Sequence, residues 1–486
     1  MIYCLEQENI LKKAARNSII YMAGMIIIAV ISFFNTIILT RILPGQVFAQ
    51  YGLLTTFTTA SITVISLGMD AAYTRFFYES GYSAGRYLLK SCTVPFFVLI
   101  VFMLLLLEPN HLLLNYVFED GVTKQFIWLF VGYLLFSLFG KFTQLTARMG
   151  EFAINYVLSN LIAKAGFVVI IFAVCWVIPD VTLSWVAFSF AVASAFAMFI
   201  NISTLYKVKT IQVSEHKRVT TTEMLKYGMP FMISNVMMLI IPLIERLIVR
   251  ELAGWEVLSI YTAASVFYTV IALMKNTIDN IWNPIVFQYY KNEEVFKPLL
   301  HDFGLAVTWV TVIGLGFCIL LRRWLVLILD SSYFDVYLIA PAIMYTACFE
   351  IYTLIYSVGI NTAKKTVHMI SAPMIQIIIS VILCCLLIPE FGLLGAGIAS
   401  LFSIIISRIY RIVLGLHYYG TERREWKIAL LWLICAVAAV FTMYSTTIVS
   451  DITVCITLCI LSLVVINTEG VNLVKKMNGL LFSKKI

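Results

Sequence analysis

The chain has 486 residues, of which 61% are hydrophobic and only 12% are charged. A soluble domain carries about 25% charged residues, so this composition excludes a soluble globular protein and indicates an integral membrane protein. The net charge of +8 is explained by basic cytoplasmic loops, and no nucleic-acid partner is expected.

Apolar runs long enough to cross a bilayer recur along the whole sequence. A bilayer core about 30 Å thick needs about 20 apolar residues per helix, and such runs predict an all-α integral membrane protein with about 14 transmembrane helices. The first six predicted spans are 17–43, 51–78, 88–107, 126–147, 154–178 and 183–205. The others are 224–249, 257–289, 299–321, 337–358, 367–388, 393–416, 428–446 and 452–466.

The second set of six spans repeats the pattern of the first. In the first set, an apolar span is followed by Arg41 and a Leu-x-Gly sequence that ends at Gly45. In the second set, Arg250 and a Leu-x-Gly sequence that ends at Gly254 follow the corresponding span. The offset stays near roughly 210 residues, which predicts an internal repeat. Because six is an even number, the two copies have the same orientation, and an axis along the membrane normal relates two six-helix bundles.

This repeat predicts four parts of the chain and a transport mechanism by alternating access. The predicted parts are an N-terminal six-helix bundle (1–206), a basic cytoplasmic linker (207–222), a C-terminal six-helix bundle (223–417) and two extra helices with a basic tail (418–486).

Basic residues predict the orientation of the spans. Lys12, Lys13 and Arg16 precede the first span, and four lysines follow the last one, so both termini are expected in the cytoplasm. Arg322 and Arg323 are the exception, because they lie near the outer end of the ninth span.

Several short motifs appear in a fixed order along the chain. They are Arg41-Ile-Leu-Pro-Gly45, Leu67-Gly-Met-Asp70, Tyr227-Gly-Met-Pro230, Glu245-Arg246 and Gly392-Leu-Leu-Gly-Ala-Gly397. In this order and spacing the chain resembles the polysaccharide-transporter branch of the multidrug/oligosaccharidyl-lipid/polysaccharide flippase superfamily, the Wzx-like O-antigen and capsule flippases. The resemblance covers nearly the whole length. It implies export of a polyprenyl-pyrophosphate-linked oligosaccharide across the bacterial inner membrane, with membrane lipids and a polysaccharide polymerase complex as further partners.

Charged residues inside the predicted spans are the candidate functional residues. A charge at a helix centre costs about 2.5 to 3.5 kcal/mol, so such residues persist when they are paired or face water. Cations suit the substrate's phosphates because they replace lost hydration. The candidate substrate-binding residues are Arg75, Lys141, Lys164, Arg246 and Lys275. The candidate coupling or gating residues are Asp70, Glu245, Asp279 and Glu350.

Each candidate also has a structural interpretation. Lys275 and Asp279 are four residues apart, so they share a helix face and can neutralise each other. Arg75, Lys141 and Lys164 can extend toward the membrane surface. The adjacent Glu245 and Arg246 point about 100° apart and would pair with different neighbours, and Asp70 can cap a local helix break. Glu350 is alone in its span, so it is either protonated or coupled to a cation.

Three other functions are alternatives to the flippase. A cation-coupled multidrug antiporter usually has an acidic residue in its first span, and 17–43 has none. A lipid II flippase would share the fourteen spans and the cationic cavity. An arginine cluster in the first span would favour it, but only Arg16 and Arg41 flank that span. A membrane-embedded glycosyltransferase needs acidic or histidine residues in a long outer loop, and the longest one, near 108–122, is short. The sequence has no GxxxxGK[ST] motif, so we expect no ATP hydrolysis, and it has no Cys-x-x-Cys pair, so we expect no metal site. We therefore expect a transporter without enzymatic activity or a cofactor.

The predicted topology can be tested with cysteine labelling or reporter fusions. Probes at Ser214, Asn361 and Thr421 should report the cytoplasm, because each position follows an even number of spans. The measurement is reaction with a membrane-impermeant thiol reagent before and after permeabilisation. An external signal at Ser214 would rule out the repeat, because the two bundles would no longer be parallel.

Overall fold

The computed structural model describes residues 2–77, 82–108, 111–119, 122–208, 219–290, 292–362, 367–419 and 426–469. In these ranges the secondary structure is helical and contains no strand. Most of the predicted linker (209–218), the basic tail (470–486) and the labelling positions Ser214 and Thr421 lie outside the described residues.

The chain forms two compact units, 1–243 and 244–486. The first unit ends inside the seventh predicted span, so the four predicted parts remain a prediction. The helices that begin in the first unit are α1 (Ile2–Ile42), α2 (Gly45–Ser66), α3 (Met69–Phe76), α4 (Ala84–Leu106), α5 (Leu112–Phe118), α6 (Lys124–Met149), α7 (Ala153–Val177), α8 (Leu183–Val208) and α9 (Thr221–Tyr289).

The second unit contains the rest of α9 and the helices that follow it. They are α10 (Glu293–Val326), a 3₁₀ turn (Ser331–Tyr333), α11 (Val336–Tyr356), α12 (Val358–Thr362), α13 (Val367–Tyr419), α14 (Trp426–Tyr444) and α15 (Ile448–Glu469).

Two glycines divide the longest helices. Gly254 in α9 has φ 83° and ψ 178°, and Gly392 in α13 has φ 53° and ψ −123°, which are conformations that suit glycine because it has no Cβ. In the described residues, eleven helices are long and apolar enough to cross a membrane, and the bent pair α2 and α3 makes a twelfth. Counting α9 and α13 as two spans each gives fourteen. The predicted all-α membrane fold is confirmed.

The second predicted span is bent rather than continuous. α2 and α3 meet at an angle of 59°. At the bend, Leu67 and Gly68 both have positive φ. A Cβ on Gly68 would lie 2.0 Å from the carbonyl oxygen of Gly228 in α9, so the two backbones touch only because both residues are glycines. The bend places Asp70 in the first turn of α3.

The last two helices pack onto earlier helices of the second unit. α15 packs on α10, and α14 packs on α11. Arg322 of α10 is 0% exposed and holds the carboxylate of Asp451 through Nε (3.1 Å) and Nη2 (2.8 Å). The same guanidinium donates to the carbonyls of Tyr337 (3.0 Å), Thr442 (2.6 Å) and Ser445 (2.9 Å). This buried ion pair accounts for an arginine at the end of an apolar span that the predicted orientation places outside.

Removing Arg322 should strongly destabilise the protein. Arg322→Met leaves the fully buried Asp451 without its main partner, and breaking such a pair costs about 3 to 5 kcal/mol. The measurement is thermal unfolding of the purified protein in detergent.

The matched control is Arg323→Met. Arg323 is 22% exposed and makes one bond of 3.1 Å to the same carboxylate, so its loss should cost much less. Equal losses for the two variants would show that the buried pair does not hold the extra helices.

Candidate functional site

Glu350 in α11 is the centre of a charged cluster in the second unit. Its Oε2 accepts from Lys275 Nζ at 2.6 Å and from the Tyr268 hydroxyl at 2.8 Å. Its Oε1 accepts from Arg408 Nη2 at 2.6 Å. Glu350 and Arg408 are buried, whereas the Lys275 side chain is 28% exposed. A buried carboxylate with two cationic partners is suited to remain ionised.

The sequence could not show that Lys275 and Glu350 form an ion pair. Helical spacing placed Lys275 beside Asp279, because residues four apart share a face. The structure instead brings the Lys275 ammonium to a carboxylate 75 residues further along the chain. Glu350 is therefore alone in its own helix but not in the fold. Asp279 lies one turn beyond Lys275 in α9 and is partly buried.

Sequence reasoning missed two arginines of this cluster. Arg408 and Arg411 lie one turn apart in α13, inside a long apolar run. Arg411 makes no hydrogen bond or ion pair with the residues that the structure describes, and its Nε is buried. The Arg-x-x-Arg spacing in an apolar run was the available signal, because residues three apart share a helix face.

Glu245 is buried among hydroxyl groups. Its Oε2 accepts from the Tyr261 hydroxyl at 2.9 Å, and its Oε1 accepts from Ser380 Oγ at 2.7 Å. The adjacent Arg246 is also buried. The hydroxyl partners come from the second part of α9 and from α13, so Glu245 connects helices that are far apart in sequence.

Lys141 and Asp70 form an ion pair in the first unit. Lys141 Nζ of α6 lies 2.7 Å from Asp70 Oδ2 and 3.4 Å from Ser66 Oγ. Both charged side chains keep partial solvent contact. The bend between α2 and α3 places Asp70 opposite Lys141 as its counter-ion. The N-cap of α3 is Gly68 and has no side-chain hydrogen bond, so the capping interpretation of Asp70 is not what the structure shows.

Lys164 in α7 lies on the side of its helix that faces protein. The Asn35 side chain of α1 donates to the Lys164 carbonyl at 3.1 Å, and the Lys164 side chain is exposed. At 100° per residue, Lys164 is roughly 110° from the centre of the outer apolar stripe. Its ammonium has no hydrogen bond or ion pair with the described part of the chain. The outer stripe is formed by Ile154, Leu158, Val169, Phe172 and Trp176.

Arg75 lies in the last turn of α3. Its side chain is exposed, and its guanidinium lies 5.5 Å from the ring centre of Phe76. The Phe76 ring contacts Tyr227 of α9 edge-on at 5.5 Å. This position at a helix end is compatible with both the substrate-binding and the snorkelling interpretation.

The fold and these buried charges define a multi-pass α-helical membrane protein with ionisable groups at membrane depth. Residues 14–289 match the family model described as polysaccharide biosynthesis protein. The match covers more than half of the chain, and the chain therefore belongs to the polysaccharide biosynthesis protein family. The family resemblance inferred from the short motifs is confirmed at this level. A comparison with curated protein sequences gives no match.

Solved structures show the same fold. The lipid II flippase MurJ in an inward closed conformation matches with a TM-score of 0.57 and 14% identity, over 93% of this chain and 99% of that chain. An inward-facing multidrug resistance MATE family transporter of the MOP superfamily matches with a TM-score of 0.56 and 12% identity, over 83% and 98%. A variant of the Vibrio cholerae MATE transporter VcmN matches with 0.54 and 13%, over 85% and 99%. At these identities the likeness establishes the fold.

A double-mutant cycle should show that Lys141 and Asp70 are coupled. The loss of stability in Lys141→Ala/Asp70→Ala should differ from the sum of the single losses by about 0.5 to 3 kcal/mol, because either single change leaves a charge without its partner. The measurement is unfolding of the purified variants in detergent.

The control cycle combines Asp70→Ala with Lys164→Ala. These losses should add to within about 0.5 kcal/mol, because the two charges share no partner. Additive losses in the Lys141 cycle as well would show that this ion pair contributes nothing to stability.

Proposed function

We propose that the chain is a flippase that moves a polyprenyl-pyrophosphate-linked oligosaccharide across the bacterial inner membrane by ion-coupled alternating access. The proposal is supported by the family to which the chain belongs, whose description is polysaccharide biosynthesis. It includes an inner-membrane location with both termini in the cytoplasm. The O-antigen or capsule repeat unit is the specific cargo that we propose, and a polysaccharide polymerase complex is the proposed partner.

The observation that carries the proposal is the presence of cations on protein-facing helix sides in each unit. Lys164 is exposed on such a side in the first unit. Lys275, Arg408 and Arg411 are gathered in the second unit. A charge at membrane depth costs free energy unless it serves a partner. A pyrophosphate carries negative charges that need replacement hydration during transfer, and Lys and Arg supply it.

Glu245 is the proposed coupling group. A carboxylate that accepts two hydroxyl hydrogen bonds has remaining lone pairs for a proton or a small cation. Binding of a proton or cation to Glu245 would then change its hydrogen bonds with Ser380 of α13 and with Tyr261 of the second part of α9. Asp70, Asp279 and Glu350 are coupling or gating candidates of a different kind, because Asp70 and Glu350 are already held by cations.

Two transporters of the same superfamily are the alternatives. A cation-coupled multidrug antiporter would need sites for positively charged drugs, whereas the cluster around Glu350 contains more cations than carboxylates among the described residues. A lipid II flippase also carries a lipid-linked pyrophosphate, and the similarity to MurJ supports it at the level of fold. The two substrates differ in their sugars, so the nature of the accumulated lipid separates them.

Deletion of the gene should cause a lipid-linked oligosaccharide to accumulate on the cytoplasmic leaflet. Surface polysaccharide should fall, and sensitivity to cationic dyes should hardly change, because export of the precursor is lost and drug export is not. The measurement is extraction and sugar analysis of the lipid-linked pool, with dye susceptibility measured in parallel. Dye hypersensitivity with a normal pool would favour the antiporter. A pool of peptidoglycan precursor with cell lysis would favour the lipid II flippase.

Complementation tests the cations in the same strain. Arg75→Ala and Lys275→Ala should fail to restore surface polysaccharide although the proteins reach the membrane. Lys297→Ala should restore it, because Lys297 is exposed and pairs with Glu293 one turn away. Restoration by all three variants would reject the role of these cations.

A further inference from the structure

Among the residues that the structure describes, the charges around Glu350 do not balance. Arg408 and Arg411 lie one turn apart in α13, and Arg411 is within electrostatic range of both Arg408 and Glu350. Lys275 is the third cation of the cluster. With Asp279 included, one turn from Lys275, the cations still outnumber the carboxylates. An excess of positive charge at membrane depth is unfavourable unless an anion can enter.

The arginines also keep hydrogen-bond donors without acceptors. Arg408 is 3% exposed, and its Nε is buried with no acceptor in the described residues. The Nε of Arg411 is buried in the same way. A guanidinium has five N–H donors in a planar fork, which matches the oxygens of a phosphate. Unused buried donors beside an excess of cations are the features of an anion-binding site.

Arg411 points toward protein and away from the outer surface of α13. At 100° per residue, it lies roughly 170° from the centre of the exposed apolar stripe of this helix. The part of its guanidinium that is not buried can therefore meet an anion that enters beside Glu350. The exposed stripe is formed by Phe402, Ile406, Ile409 and Val413.

Lys275 is the cation that can leave Glu350 at the lowest cost. It is partly exposed, and it shares Oε2 of Glu350 with the Tyr268 hydroxyl. If Lys275 turns away, Glu350 keeps Tyr268 on Oε2 and Arg408 on Oε1. If Arg408 turned away from Glu350 instead, its buried guanidinium would be left without a counter-ion.

We propose that Lys275, Arg408 and Arg411 form an anion-binding site in the second unit, with the Glu350 carboxylate as its resting occupant. When a phosphate group enters, Lys275 leaves Glu350 and binds the phosphate. Arg411 also donates to the phosphate, while Arg408 stays bound to the Glu350 carboxylate. Phosphate is the ligand chemistry. Its identity as the pyrophosphate of a lipid carrier rests on the proposed function, whereas the site itself does not.

Binding to the purified full-length protein in phosphatidylcholine nanodiscs tests the site. The probes are inorganic pyrophosphate and farnesyl pyrophosphate. Their binding is measured by tryptophan fluorescence or by calorimetry. Arg411→Gln should weaken the binding of both probes by about tenfold or more, since a charged donor is lost. Glu350→Gln should strengthen it by about tenfold or more, since the competing carboxylate is gone.

Several outcomes would overturn the site. They are unchanged affinity in Arg411→Gln, weaker binding in Glu350→Gln, or no binding by either the wild type or Glu350→Gln. If Glu350→Gln does not fold, Arg411→Gln decides alone, because Arg411 makes no hydrogen bond or ion pair with the described residues. Lys297→Gln is the matched control and should bind as the wild type does.

Two further comparisons identify the source of the phosphate. Mutual competition between the two probes, with farnesyl pyrophosphate binding more tightly than inorganic pyrophosphate, supports a lipid-carrier pyrophosphate. Loss of binding in nanodiscs that contain phosphatidylglycerol would overturn the carrier assignment, because the occupant would be a bulk lipid headgroup. A third result is probe binding that depends on Arg411 together with a deletion strain that accumulates no lipid-linked sugar. That combination of results would support the site and reject the proposed substrate.

Discussion

The cost of placing charge in a medium without water constrains this whole structure. An ionised group at membrane depth must be paired, hydrogen-bonded or in contact with water. The described residues show each solution. Arg322 uses all five of its donors on Asp451 and three backbone carbonyls, Lys141 takes one carboxylate, and Lys164 remains exposed on a side of α7 that faces protein.

Arg322 differs from the arginines of the Glu350 cluster in how completely its hydrogen-bond donors are satisfied. The guanidinium of Arg322 is completely satisfied, which leaves it no capacity for a ligand. Arg408 keeps a buried donor without an acceptor, and Arg411 makes no bond to the described residues. Both situations occur in the second unit, so burial alone does not distinguish them. The difference is that Arg322 has enough carbonyl and carboxylate acceptors nearby for all of its donors, whereas Arg408 and Arg411 do not in the described part of the chain.

Glycine determines where the helices break and where they touch. Gly254 and Gly392 adopt positive φ and divide α9 and α13, which permits two spans to follow each other with almost no loop. Gly68 and Gly228 have a different role, because their backbones lie closer together than a Cβ would allow. The bend at Gly68 in turn sets the position of Asp70, and therefore the ion pair with Lys141.

The sequence by itself determined the all-α membrane fold and about 14 spans, because the bilayer requires long apolar helices and these are visible as uninterrupted runs. It also located most charges at membrane depth, since each one stands out in an apolar run. Only the tertiary structure decided their partners. Helical spacing shows neighbours within one helix, so it suggested Asp279 for Lys275 and left Glu350 alone. The pairs Lys275–Glu350 and Arg322–Asp451 join residues 75 and 129 positions apart, and such contacts depend on how helices pack.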